Sequence, residues 1–297
     1  KTVHPDPATL DIIKDKGAQK AFYSEHQLPT ALYELFADAA GVRQAVAAGK
    51  WSLPFVQKSR TGGYDGRGVA VIRTPEDLDH QLLPGPCLLE QLVDIDKELA
   101  VIVARNADKE MRSFPLVEMV FDPKANLVDY LQAPAEVSPE VCAAATALAE
   151  RTAAAYGLSG LLAVELFLTQ TGDILVNEVA PRPHNSGHHT IESCPTSQFE
   201  QHLRGVLNLP LGDTQLLRPA LMLNILGEAG YQGLVQYEGV ADVLAMPEVF
   251  VHLYGKTHTR PFRKMGHVTI MGDSLLECQQ KAEQVKAVLK CKGAERC

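Results

Sequence analysis

Apolar and polar positions along this chain alternate between helical and strand periods over short stretches, which predicts small helices interleaved with hairpins. Residues 7–26 read as one helix followed by a second short one, ending before Leu28-Pro29. The Ala-rich stretch 36–46 predicts a helix, 54–58 a short buried strand, and 69–72 its return strand across a Gly-dense loop. Thr74-Pro75-Glu76-Asp77 opens a helix: Thr caps, Pro takes the first helical position and acids fill the first turn. Strands are expected at 87–93, 97–104 and 114–121. Ser138-Pro139-Glu140 starts a long Ala-rich helix that stops at Gly157. Residues 161–169 and 173–179 predict two strands around a tight turn, and 197–207 an amphipathic helix. After Pro210 the pattern is that of a smaller unit of short strands, closed by a helix over 274–289. Hairpins mixed with helices in this way predict α+β layers and not a doubly wound parallel sheet.

Composition narrows the classes. The 297 residues are 46% hydrophobic and 22% charged, an ordinary globular balance that can bury more than one core. A net charge of −8 argues against a general nucleic-acid binder, which needs a broad basic surface. It permits a small anionic substrate if basic groups are concentrated locally. No apolar run approaches the length that spans a bilayer. The six cysteines form no CxxC pair, which favours reduced thiols in a cytosolic protein over a disulfide or metal framework. The start does not read as a signal peptide. Val3 before His4-Pro5 reads as the end of a strand entering a proline turn, so an upstream segment is expected.

Four stretches carry chemistry. In Lys58-Ser59-Arg60-Thr61-Gly62-Gly63-Tyr64-Asp65-Gly66-Arg67-Gly68 a lysine ends one strand and a glycine loop leads to the next. Glycines let backbone N–H groups approach phosphate oxygens, while lysine and arginine supply charge. The lysine precedes the glycines and a strand follows them, so this is a hairpin lid over a nucleotide and not a Walker A loop. The alternative, a plain glycine hairpin with surface charges, does not account for four glycines in the seven residues 62–68.

Glu165 and Glu178 sit in the two strands around the tight turn. If Thr171-Gly172 form a two-residue loop, paired positions sum to 343, Thr169 faces Ile174, and Glu165 faces Glu178. Like charges so placed are destabilising unless a cation lies between them, and Mg²⁺ shared with nucleotide phosphates is the natural candidate. Two solvated surface glutamates are the alternative, which leaves their apolar neighbours unexplained.

Arg182-Pro183-His184-Asn185-Ser186-Gly187-His188-His189 follows directly, so its Arg, His and Asn are expected beside the phosphates. Arg182 suits a developing oxyanion or phosphate. The histidines have no acidic or cysteine partner at a recognised zinc spacing. Last, Tyr254-Gly255-Lys256 and 260–267, with Arg263 and Lys264, form a local basic cluster in an acidic protein. It reads as a solvated turn on its own and as a pocket for a phosphorylated substrate beside the other motifs.

Together these residues, with Glu90-Gln91-Leu92-Val93 and Glu98, resemble the ATP-grasp 5-(carboxyamino)imidazole ribonucleotide synthase family, in order and over essentially the whole chain. The resemblance implies an ATP-grasp domain over 27–210 with a glycine lid at 62–69, and a small C-terminal β-rich domain over 211–297. Residues 1–26 would be linker helices at the end of an N-terminal Rossmann-like domain that the chain as given lacks. It implies carboxylation of 5-aminoimidazole ribonucleotide with ATP and bicarbonate, through carboxyphosphate, by a cytoplasmic homodimer. Lys16 and Lys58 would contact the ATP phosphates. Gly63, Tyr64, Asp65, Gly66, Arg67, Gly68 and Val69 would form the lid. The backbone of Glu90, Gln91, Leu92 and Val93 would read adenine, and Glu98 the ribose hydroxyls. Asn177 and Glu178 would complete the ATP site, with Glu165 and Glu178 on Mg²⁺. Tyr64, Arg182, His184, Asn185, Ser186, Lys256, Arg263 and Lys264 would line the bicarbonate and ribonucleotide site. Phe121 stands where some members place an ATP-contacting His. Formate-dependent glycinamide ribonucleotide transformylase, biotin carboxylase and a non-catalytic nucleotide-binding module are the alternatives. The GGYDGRG lid argues against the two enzymes, and retention of both glutamates, Arg182 and His184 against the inert module.

Overall fold

In a computed structural model of the chain, residues 3–62, 68–122 and 127–296 are described. Two helices, α1 (Pro7–Ile13) and α2 (Lys16–Glu25), precede strand β1 (Tyr33–Phe36) and α3 (Ala39–Ala47). Asp15 caps α2 by accepting from Gly17 and Ala18 N–H. The hairpin β2 (Phe55–Ser59) and β3 (Val69–Ile72) leads into α4 (Pro75–His80) and β4 (Cys87–Gln91). These strands form a four-stranded sheet in the order β1-β4-β2-β3, closed over a core of Val42, Phe55, Ile72, Cys87 and Leu89. The stretch that begins at Phe36 is therefore a strand end before it is a helix. Asp38 supplies the helix cap and sets the later start.

A nine-stranded sheet follows. It contains β5 (Ile95–Arg105), β6 (Met111–Ser113), β7 (Val117–Asp122) and β8 (Leu127–Ala133), then β9 (Gly160–Thr169) and β10 (Ile174–Ala180) beyond α5 (Pro139–Tyr156). The order is β10-β9-β5-β7-β8, with β6 on β5, and every pairing is antiparallel, as α+β layering requires. Odd positions of β5 (Leu99, Val101, Val103) bury against α5, and even positions, including Glu98, face the opposite side. Glu98 is thereby set on the face turned toward the small sheet.

The chain continues through α6 (Thr190–Ser193), α7 (Gln198–Val206), β11 (Ala220–Leu226), β12 (Tyr231–Glu238), α8 (Val240–Leu244) and β13 (Val249–Leu253). It ends with β14 (His258–Thr259), β15 (Lys264–Met271), α9 (Leu275–Val288) and β16 (Lys290–Arg296). Strands β11, β15 and β13 extend the large sheet beyond β8, so this part shares the sheet while holding its own core around Leu221, Val268, Ile270 and Val285. It does not close on a helix: β16 returns from α9 to pair with β12.

Helix α7 is amphipathic in the opposite sense to the expected one. It buries Gln198, Gln201 and Gly205 and exposes Phe199, Leu203 and Leu207. Gln201 donates to the Gly212 carbonyl at 3.0 Å and accepts from Gly212 N–H at 2.8 Å, so its buried amide is satisfied by backbone.

Candidate active site

The hairpin that carries Glu165 and Glu178 turns on three residues, Gln170-Thr171-Gly172. Thr169 N–H bonds the Asp173 carbonyl at 2.9 Å, and Gly172 takes φ +87°. Near the loop the register therefore pairs Leu168 with Ile174, one residue away from the two-residue expectation. A bulge between Val176 and Glu178 restores it, and Glu165 does face Glu178. The bulge has a second consequence, because it interrupts the strict alternation of faces. Consecutive residues both reach the cleft between the sheets: Asn177 Oδ1 accepts from Lys58 Nζ at 3.2 Å, and Glu178 pairs with Lys16 Nζ.

Lys16 comes from α2, and Lys58 from β2 in the β2–β3 hairpin, where it pairs with Val69 while Ser59 N–H bonds the Gly68 carbonyl. Gly63, Tyr64, Asp65, Gly66 and Arg67, the rest of the expected lid, lie outside the described residues. Lys58 Nζ also lies 2.8 Å from Glu90 Oε2, and the other Glu90 oxygen is 3.0 Å from Lys20 Nζ. Burial opposes ionisation of Glu90, yet Lys58 and Lys20 hold its carboxyl below the usual value. Gln91 ends β4, and Leu92 and Val93 lie in the link to β5, which joins the two sheets.

Glu98 on β5 opposes Phe167, and its neighbour Ala100 opposes Glu165. Glu98, Glu165 and Glu178 thus run diagonally across three adjacent strands on the cleft face. Burial, then the Glu165 charge, pushes Glu98 up to about 7, with Lys58 pulling the other way. Burial also opposes the charge on Glu178, but Lys16 holds it below its ordinary value. Among the described residues no group of three His, Cys, Asp or Glu side chains is placed to hold a metal ion. Two facing carboxylates short of a full protein cage fit Mg²⁺, which keeps waters and takes phosphate oxygens for its remaining positions.

His184 Nε2 is 3.3 Å from Glu165 Oε1, and its Nδ1 receives Ser186 N–H at 3.3 Å with Ser186 Oγ at 2.9 Å. A neutral His184 with Nδ1 accepting carries its proton on Nε2, aimed at Glu165. Gln198 locks this loop: it accepts from His184 N–H and donates to the His184 carbonyl, each at 2.8 Å. A Cβ at Gly187 would meet Ile102 Cδ1 at 2.3 Å and Gln198 Oε1 at 2.6 Å, so a larger residue there would have to displace the Gln198 amide that locks the loop. Asn185 and Asn224 exchange amide bonds at 2.9 and 3.3 Å and tie the loop to β11. Arg182 is exposed and donates to the Pro183 carbonyl.

The basic hairpin is less convergent. Lys256 Nζ bonds the Lys264 carbonyl at 2.5 Å, and Arg263 turns onto the His258 carbonyl at 2.7 Å. Burial, then the charges of His184, His252, Lys264 and Arg182, brings His188 down to about 4. Phe121 packs against the apolar cluster of Ala100, Met119 and Leu131. Lys20, Gln198 and Asn224 escaped the sequence reading. A lysine one turn after Lys16 is the only signal for the first, and the amides carry none.

His188 stacks on His267 at 4.6 Å and His267 on His252 at 4.4 Å. Burial first, then the neighbouring imidazoles, brings His267 down to about 3, and burial brings His189 down to about 4. Both lie below the ordinary 6.5, so the unfolded chain takes up protons that the folded one refuses. The stability these groups contribute is present above pH 6.5 and is lost as pH falls below it. Urea unfolding is expected to show about 2 kcal/mol less stability per such histidine at pH 5 than at pH 7. His267→Phe keeps a ring in the stack and should remove one share of that loss. An identical pH dependence in the variant would contradict it.

The comparisons with known proteins converge on one family. The ATP-grasp domain family matches residues 21–199, and the phosphoribosylaminoimidazole carboxylase C-terminal domain matches 220–281. The chain is 38% identical to phosphoribosylaminoimidazole carboxylase of Ogataea methanolica, over 96% of this chain and 53% of that protein. It spans about half the length of the first such curated relatives. The crystal structure of N5-carboxyaminoimidazole ribonucleotide synthetase from Thermotoga maritima is 42% identical with a TM-score of 0.89, covering 98% of this chain and 76% of that one. The Aspergillus clavatus synthase, solved with ADP and 5-aminoimidazole ribonucleotide, is 30% identical with a TM-score of 0.86, covering 96% of this chain and 76% of that one. Membership follows from the matched share and the fold alike: the chain belongs to the N5-carboxyaminoimidazole ribonucleotide synthase family of ATP-grasp proteins.

Proposed function

We propose that this protein uses ATP to activate bicarbonate and carboxylates the amine of 5-aminoimidazole ribonucleotide. The observation that carries the reading is the cleft between the sheets, where Lys16 and Lys58 face Glu98, Glu165, Asn177 and Glu178 with Glu90 beneath them. The phosphate-directed lysines contact Glu178, Glu90 and Asn177. A triphosphate offers them better partners, and Mg²⁺ on Glu165 and Glu178 would offset charge on the transferred phosphoryl group.

In the first step a bicarbonate oxygen attacks the γ-phosphorus, the bond to the ADP oxygen breaks, and carboxyphosphate forms. Lys16 and Lys58 orient the phosphates, and the lid hairpin keeps water from the mixed anhydride. In the second step the ribonucleotide amine attacks the carboxyl carbon, the bond to phosphate breaks, and the amine proton leaves with inorganic phosphate as the acceptor. In this reading Arg182 would hold the carboxyl oxygens, and His184, braced by Ser186 and Gln198, would offer its Nε2 side, which lies 3.3 Å from Glu165 Oε1, to the same space. A cytoplasmic homodimer belongs to this reading. No helix among the described residues is long and apolar enough to cross a membrane.

The test is an assay in which ADP, phosphate and carboxylated ribonucleotide are counted together. The reading expects equal amounts and a requirement for both bicarbonate and 5-aminoimidazole ribonucleotide. ADP release that ignores both would overturn it. Lys264→Ala should raise KM for the ribonucleotide roughly tenfold or more while KM for ATP changes little, as expected for loss of one phosphate-directed charge. Equal changes in both would place Lys264 elsewhere.

A further inference from the structure

Lys20 has no part in the roles above, yet it is among the most enclosed charges in the molecule, with its side chain 4% exposed. It follows Lys16 by one turn of α2. Its ammonium lies 3.0 Å from Glu90 Oε1 and also donates to Thr30 Oγ1, whose hydroxyl bonds the Val176 carbonyl of β10 at 2.7 Å. Lys58 closes the circuit, lying 2.8 Å from Glu90 Oε2 and bonding Asn177, the next residue of β10. The circuit therefore joins α2, both sheets and the strand that bears Glu178.

We propose that Lys20 is a positioning residue for the nucleotide site, a fixed counter-charge that keeps Glu90 compensated when Lys58 turns from it to a phosphate. This rests on the nucleotide reading of the cleft. In the arrangement described, Lys58 has two partners. A phosphate that recruits it competes with both, and they differ in what they lose. Asn177 is neutral and partly exposed, so water replaces the bond. Glu90 is 3% exposed, and a carboxylate there without a cation is a bare buried anion. Besides each other, the charged groups that act on this pair are Lys58 from β2, which acts on both, and Lys16 from α2, which acts on Lys20. Lys16 pairs with Glu178 and, like Lys58, is a cation the phosphates take. Lys20 alone stays with Glu90. Burial draws the Lys20 ammonium below its ordinary pKa, with Glu90 working against that draw. A neutral pair of the same volume would avoid the desolvation of both charges, so packing alone does not account for a charged pair here.

Mg-ADP binding by calorimetry and thermal unfolding, measured on the wild type, Lys20→Met and Lys20→Met/Glu90→Gln, test the inference. Lys20→Met should weaken ADP binding by roughly 10- to 100-fold, because Lys58 can no longer leave Glu90 freely. The double variant should recover most of that affinity, since a neutral amide at position 90 needs no cation and the strand backbone is unchanged. A folded Lys20→Met protein with wild-type ADP affinity, or a double variant no better than the single one, overturns the proposal. If Lys20→Met does not fold, the double variant decides: near-normal affinity supports the role, and affinity as poor as that of Lys58→Met refutes it. A wild type that binds no Mg-ADP would instead sink the nucleotide reading, and the role of Lys20 with it.

Discussion

Glu178→Gln is expected to lower Mg-ATP-dependent turnover roughly 100-fold or more, about 2.7 kcal/mol of transition-state stabilisation, in a protein that still folds. The substitution keeps the shape of the side chain and the bulge that aims it, but removes one of two facing carboxylates. It also releases Lys16, which pairs with Glu178. The two effects pull apart in measurement. Metal-free ADP should bind the variant as well as or better than the wild type, because Lys16 no longer has to break an ion pair. Turnover should collapse. Steady-state kinetics beside ADP titrations in chelator separate them. Near-normal turnover by the folded variant, or parallel losses in turnover and metal-free binding, would show that Glu178 is not a metal-directed carboxylate.

Lys58→Met should raise the dissociation constant for Mg-ADP by roughly 100-fold, the loss of a charge-assisted contact in an enclosed site. Its side chain is 13% exposed, so solvent screening is slight. The variant also strips Glu90 of one of two cations and Asn177 of its donor. Lys20 remains on Glu90, so the stability loss is expected at about 1–3 kcal/mol, less than for breaking an isolated buried pair. Calorimetry and urea unfolding on the same preparation check both numbers. A destabilised variant with unchanged ADP affinity would make Lys58 a structural residue and leave the phosphates without their lysine.

Local sequence rules reached the caps, the long helix α5 and the β2–β3 hairpin because each is decided by neighbours in sequence. Thr74 with Asp77 forms the capping box, and Gly157 adopts the left-handed conformation that ends α5. The Glu165–Glu178 pairing was also legible, but for an incomplete reason. The loop holds one residue more than a two-residue turn, the strand holds one extra residue at Asn177, and the two shifts cancel at the glutamates. Hydrophobic period does not reveal a bulge, so the shared aim of Asn177 and Glu178 was hidden. Lys20 was hidden too, since a lysine inside a helix reads as solvated until Glu90 and Thr30 arrive from distant segments. The polarity of α7 inverted because Gln198 and Gln201 find their partners in His184 and Gly212, which no local pattern announces. Strands β6 and β16 were missed for lack of alternation, being short or lying at an edge.

In the proposed function the cleft between the two sheets would hold a metal–nucleotide complex on Lys16, Lys58, Glu165 and Glu178. A crystal grown with ADP and Mn²⁺, with data collected for the anomalous signal of manganese, tests it directly. The predicted result is a manganese peak between the Glu165 and Glu178 carboxylates, with the β-phosphate against Lys16 and Lys58 and Lys16 moved off Glu178. Manganese away from that pair, or ADP bound with Lys16 still on Glu178 and Lys58 still on Glu90, would contradict it.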